Sequence, residues 1–150
     1  MCGRWGWVTI GKGLAYQCQR TPGYSLVAIA DIRLDKAVAC AEWRKREYRI
    51  VETQAELEST IDSDLLAVCE DGLMAAGARE ADVMLEASNA VLGGALHADG
   101  AIRAGTHVVM MNFEAELMYG PLLLKRARDA GLVYTCAERR PTYRDQNYCR

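Results

Sequence analysis

Gly11-Lys12-Gly13-Leu14-Ala15-Tyr16-Gln17 reads as a glycine-rich turn running straight into a helix, and the apolar run Leu26-Val27-Ala28-Ile29-Ala30 downstream ends on Asp31. That order outlines a dinucleotide-binding βαβ unit, in which a helix N-terminus offers unpaired N–H groups and its positive dipole end to a pyrophosphate. An acid at the tip of the second strand then accepts hydrogen bonds from the adenosine ribose. The outline is damaged at its start. The fingerprint requires Gly-x-Gly-x-x-Gly behind a buried strand, whereas this chain reads Gly6-Trp7-Val8-Thr9-Ile10-Gly11 behind Met1-Cys2-Gly3-Arg4-Trp5. Val8 stands where a side chain obstructs close approach of the pyrophosphate. Met1 to Trp7 has neither the alternating nor the continuous apolar pattern of a strand, so an irregular first strand is expected.

Two readings of the defect stay open. Codons chosen freely for Met1 to Val8 and read in another frame can spell Val-Arg-Ala-Val-Gly-Leu-Gly, which joins Thr9-Ile10-Gly11 as an intact Gly-Leu-Gly-Thr-Ile-Gly behind an apolar strand. The other end behaves alike: Arg139-Arg140-Pro141-Thr142, with one nucleotide dropped, can be read as Gly-Asp-Gln-Pro. On this reading the chain is truncated and frame-shifted at both ends. On the other it is a natural chain with a short first strand.

Composition bounds the partners. A chain of 150 residues, 51% of them hydrophobic, suits one domain with its own core, and a single domain over residues 1–150 is expected, with no separate substrate domain. A net charge of −2, with both signs interspersed, argues against nucleic acid. No apolar stretch approaches the roughly 20 residues of a membrane span, and no basic segment followed by an apolar core opens the chain. No membrane partner and a cytoplasmic location are therefore expected. The six cysteines are scattered without a Cys-x-x-Cys pair or clustered histidines, which points to reduced, mostly buried thiols and no metal site.

Strand and helix patterns alternate along the chain. After the strand ending at Ala30, Asp35 is placed to cap a helix through Trp43, Arg49 to Glu52 reads as a short strand, and Thr53-Gln54-Ala55-Glu56 is a capping box opening a short helix. Leu65 to Cys69 reads as an edge element and Leu73 to Arg79 as a helix. Asp82 to Ser88 is a buried-type strand, followed by a helix from about Ala90 to Ala104 closed by Gly105. Thr106 to Asn112 is the next strand, then a helix around Tyr119 to Ala130 closed by Gly131, then the strand Leu132 to Cys136. Strands joined by helical crossovers predict a Rossmann-like, doubly wound parallel α/β sheet with helices on both faces. The strands beginning at Leu26, Asp82, Thr106 and Leu132 are expected in one sheet, with those from Asp82 and Thr106 as neighbours.

From Val83-Met84-Leu85-Glu86-Ala87-Ser88 through His107-Val108-Val109-Met110-Met111-Asn112-Phe113-Glu114-Ala115-Glu116 to Tyr119-Gly120-Pro121-Leu122-Leu123, the chain resembles the nucleotide-binding domain of the homoserine dehydrogenase-like oxidoreductases. The resemblance is to a branch carrying a C-terminal SAF domain, and it spans roughly Thr9 to Glu138. It implies a nicotinamide cofactor, a small-molecule substrate held by a downstream domain in the full-length relative, and compatibility with a homo-oligomer. It places Thr9, Ile10 and Gly11 at the phosphate turn, Asp31 at the ribose, and Ser88 and Asn89 near the nicotinamide. Asn112 and Glu114 line the same crevice. True homoserine dehydrogenases place a lysine after the asparagine matching Asn112, whereas Phe113 stands here, which argues against homoserine itself. Arg33 is positioned to contact a ribose 2′-phosphate, but the acid at Asp31 repels that group, so NAD is favoured over NADP.

Each residue also has a plainer role. Gly11 and Gly13 ease packing, Asp31 ends a strand, Ser88 and Asn89 suit an N-cap, and Glu114 suits a helix N-terminus. His97 and His107 have no carboxylate or nucleophile at suggestive spacing and read as structural. Two functions follow: the cofactor-binding part of an oxidoreductase, inactive alone, or a degenerate Rossmann-like module without catalysis. No catalytic residue is assignable from the sequence.

Overall fold

The computed structural model describes residues 8–137, with side chains from residue 13 onward. Met1 to Trp7 and Arg139 to Thr142 lie outside the described residues. The elements alternate as the sequence predicts: α1 (Val8–Arg20), β1 (Ala28–Ala30), α2 (Leu34–Trp43), β2 (Tyr48–Ile50), α3 (Gln54–Asp62), β3 (Leu66–Cys69), α4 (Gly72–Ala76), β4 (Val83–Glu86), α5 (Val91–Arg103), β5 (His107–Met110), α6 (Phe113–Asp129) and β6 (Tyr134–Cys136).

Local chemistry accounts for most boundaries. The capping box opens α3: Thr53 accepts from the Glu56 N–H while the Glu56 carboxylate accepts from the Thr53 N–H. Gly105 and Gly131 follow α5 and α6 with φ of 86° and 71°, the left-handed conformation glycine adopts without strain. Other boundaries differ from expectation. The N-cap of α2 is Arg33, with Asp35 in the first turn. The helix α6 begins at Phe113, capped by Asn112, rather than around Tyr119 as expected, so Gly120 and Pro121 lie in its interior instead of its first turn. The missing N–H of Pro121 costs that helix one bond, which the surrounding turns and the packing of Leu123 and Ala127 outweigh.

All strand pairings are parallel. They form two three-stranded sheets, ordered β1-β3-β2 and β4-β5-β6. The strands from Asp82 and Thr106 are neighbours as expected. Two expectations fail. Leu66 to Cys69 is no edge element: it lies between β1 and β2 and is buried along its whole length. Among the described residues no hydrogen-bonded ladder joins β1 to β4, so the described strands fall in two sheets rather than the one expected.

The core nevertheless is shared. One apolar cluster holds Ala28 and Ala30 of β1, Met84 of β4, Val108 and Met110 of β5, and the inner faces of α5 and α6. The opposite cluster holds Ile29, Leu66 and Val68 with Ala15 of α1 and Ala37, Cys40 and Ala41 of α2, and Leu85 of β4 packs against it. Helices therefore cover both faces of a doubly wound arrangement, and both faces continue across the break.

Candidate functional site

In parallel α/β folds, ligands bind outside the carboxyl ends of the strands, because all strands end on one edge and the crossover helices begin there. Asp31 follows β1 on that edge. It is 5% exposed, its N–H donates to Cys69 O at 3.1 Å, and its Oδ1 accepts the Arg33 N–H at 3.0 Å. The loop is thus wrapped around a carboxylate. Arg33 itself is exposed, and its guanidinium donates to Asp35 at 2.8 Å and 3.3 Å. That hydrogen bond holds the Asp35 carboxyl below the usual carboxylate range and raises the guanidinium in turn.

Thr9, Ile10 and Gly11 form the opening of α1 rather than a turn ahead of it, because the helix begins at Val8. α1 leads through residues 21–27 into the amino end of β1, and its Ala15 packs in the cluster that holds Ile29 of β1. Gly13 has open space around the position of a Cβ, so the described residues give no packing reason for it.

The ends of β4 and β5 carry a polar cluster of Ser88 and Asn112, expected in one crevice, with Glu86 and His97, which were not expected there. Glu86, the last residue of β4, is 0% exposed; its Oε1 accepts the Ser88 N–H at 2.7 Å and its Oε2 lies 3.1 Å from His97 Nδ1. His97, expected to lack a carboxylate partner, has one. The signal was available: an acid at the inward end of an apolar strand requires a hydrogen-bonding partner, and a histidine on the following helix can supply one.

Asn112 completes the cluster. It is 2% exposed, accepts the Ala115 N–H at 3.0 Å as the N-cap of α6, and donates to Ala90 O at 3.1 Å and Ser88 Oγ at 3.4 Å. The loop after β4 is therefore tied to the loop after β5. Gly94 makes room for this: a Cβ there would sit 2.8 Å from Asn112 Nδ2, 3.3 Å from Glu86 Oε1 and 3.4 Å from Ser88 Oγ. Ser88 and Asn89 do not cap α5, whose N-cap is Ala90 without a side-chain bond. Asn89 and Glu114 are exposed, the latter in the first turn of α6.

On the first sheet, burial pushes the Cys69 thiol up to about 12, and its Sγ lies 3.4 Å from Asp71 O. Asp71 caps α4 through the Leu73 and Met74 N–H groups. No cluster of three or more metal-ligating side chains occurs among the described residues. No described helix is long and apolar enough to cross a membrane.

No protein-family model and no curated protein matches the chain. Solved structures do. A protein described as a probable dehydrogenase from Thermotoga maritima superposes with a TM-score of 0.68 at 17% identity, over 91% of this chain and 35% of that one. An NAD-binding oxidoreductase from Klebsiella pneumoniae matches with a TM-score of 0.64 at 21% identity, over 91% and 33%. A biliverdin reductase from Synechocystis, solved with biliverdin and NADP+, matches with a TM-score of 0.64 at 19% identity, over 90% and 36%. The chain spans about a third of the length of these structures, and what it shares with them is a Rossmann-like α/β fold of parallel strands flanked by helices.

Proposed function

We propose that this chain is a nicotinamide-dinucleotide-binding domain of an oxidoreductase, with NAD favoured over NADP. The observation that carries the reading is Asp31: a buried carboxylate at the carboxyl end of β1, fixed by one backbone amide. A carboxylate keeps acceptor capacity beyond one amide, which suits the two hydroxyls of a ribose and repels a 2′-phosphate. Arg33 is held by Asp35, so it does not compensate that repulsion.

In this reading the opening of α1, with Thr9, Ile10 and Gly11, faces the pyrophosphate, and Ser88 and Asn89 face the nicotinamide side. The bound cofactor supplies hydride chemistry. Asn112 and Glu86 hold the loop from Ala87 to Ala90 in place, and Glu114 lies on the same edge. The finer assignment, to the homoserine dehydrogenase-like branch with a SAF domain, rests on the segment from Val83 to Leu123. It carries a small hydroxy or carbonyl substrate with it, held by a second domain in the full-length relative, and Phe113 after Asn112 argues against homoserine. A degenerate, non-catalytic module is the second reading, favoured by Val8 where the fingerprint has a glycine.

Calorimetric titration with NAD tests the proposal. Binding is expected to weaken at least tenfold in Asp31→Ala and to tighten in Val8→Gly, about 1.4 kcal/mol for each factor of ten. No response to either change favours the non-binding module. Following NADH absorbance with small aldehydes and hydroxy acids, this chain is expected to show no turnover. Saturable turnover lost in Glu114→Gln would overturn that expectation.

A further inference from the structure

We infer that the outer face of α5 and α6 is a docking surface for a second copy of this chain, whose helices lie antiparallel on it across a two-fold axis. One ion pair fixes the geometry of the face. Each helix is a complete crossover between parallel strands, β4 to β5 for α5 and β5 to β6 for α6, so the two run in the same direction. Their inner sides, with Ala98 and Ile102 on α5 and Leu123 and Ala127 on α6, share one core cluster. At the surface Arg126 of α6 donates to Asp99 of α5, which sets the level of one helix against the other.

One and two turns back from that bridge lie Leu96 and Leu92 on α5, and Leu122 and Met118 on α6. These four side chains are 49% to 68% exposed. Two adjacent helices therefore present one shared aliphatic patch to solvent. Large apolar side chains gathered on one face mark an association surface, whereas single exposed ones are ordinary.

The patch is complementary to itself. An axis crossing α5 at Gly94 and α6 at Gly120 brings Leu92 over Leu96 of the second copy and Met118 over Leu122, because each pair is centred on its glycine. The two levels agree, since Gly94 and Gly120 are separated by nearly the same interval as Asp99 and Arg126, which the ion pair holds side by side. Charge agrees as well. Glu114 lies in the first turn of α6, and Lys125, bonded to Asp129 and largely exposed, lies at the equivalent distance beyond Gly120. Reversal of the second copy sets Glu114 near its Lys125 and opposes the helix dipoles, whereas a parallel arrangement sets like ends together. A partner of other chemistry requires none of these internal matches. Helices of 13 and 17 residues present a face about 20 Å square, at the small end of specific interfaces, so the expected dimer is weak, with Kd on the order of 10 μM.

Sedimentation velocity of the full chain without nucleotide, from about 1 to 200 μM, tests this independently of the cofactor reading. A monomer–dimer transition is expected. Leu96→Glu and Met118→Glu, both at exposed positions, are expected to weaken it at least tenfold. Glu114→Lys and Lys125→Glu are each expected to weaken it severalfold, and the two together to restore it, a rescue that damage to the fold does not produce. A chain that stays monomeric throughout the range overturns the proposal, the face then being covered by another segment or partner. A dimer indifferent to Leu96→Glu and Met118→Glu, or one that the paired reversal fails to restore, overturns it equally.

Discussion

The two sheets are built from similar apolar runs and are buried differently. In the first, every residue of β1 and β3 is buried, because α1 and α2 cover one face and the shared core covers the other. In the second, β4 and β5 alternate: Met84, Glu86, Val108 and Met110 turn inward against α5 and α6, while Val83, Leu85, His107 and Val109 are half-buried. A continuous apolar run such as Val108-Val109-Met110 therefore does not guarantee two covered faces. Coverage is decided by which helices arrive, and both α5 and α6 pack on one side.

The difference predicts where the molecule breaks. The largest effect is expected at Glu86→Ala, which removes the buried acceptor of the Ser88 N–H and the carboxylate contact of His97 in the second sheet and costs about 4 kcal/mol in urea unfolding. A loss below about 1 kcal/mol would show that the buried pair contributes little. A matched pair then compares the sheets directly: Val68→Ala in the first is expected to cost about 2.5 kcal/mol, and Val109→Ala in the second about 1 kcal/mol. Equal losses would remove the contrast between two-sided and one-sided burial.

Gly94→Ala is expected to cost about 2 kcal/mol, because Asn112 is bonded on both sides and its amide cannot retreat from the new methyl group. A neutral result would mean that α5 shifts freely on the second sheet. The smallest effect concerns pH. Partial burial pushes the Asp99 carboxyl up, but hydrogen bonds from Arg126 and Arg103 outweigh this and leave it below the usual range. A lowered carboxyl contributes stability above its unfolded value, and that contribution is lost as pH falls through the folded value. Acid unfolding below about pH 4 is thus expected to be shallower in Asp99→Asn, measured by circular dichroism.

Much of the fold was legible because its signals are short-range. The Thr53 to Glu56 capping box, the glycines after α5 and α6, and the alternation of apolar strands with helices each depend on a few neighbouring residues. Alternation alone requires parallel pairing, since a helical crossover returns the chain in the same direction. The candidate site was half legible. Asp31 stands out because a buried strand ends on it, and Asn112 because it precedes a helix, though its ties to Ser88 and Ala90 depend on a loop far away in sequence.

Only the tertiary structure decided the rest. Placing β3 between β1 and β2, pairing Glu86 with His97, carrying α6 through Pro121, and leaving β1 and β4 without a mutual ladder are long-range outcomes. Local preferences for these elements are small beside the burial of a shared core, so packing fixes the strand order and the partner of each buried polar group. The sequence alone determined which segments are strands and helices and that the strands run parallel; the core determined their order and which faces are covered.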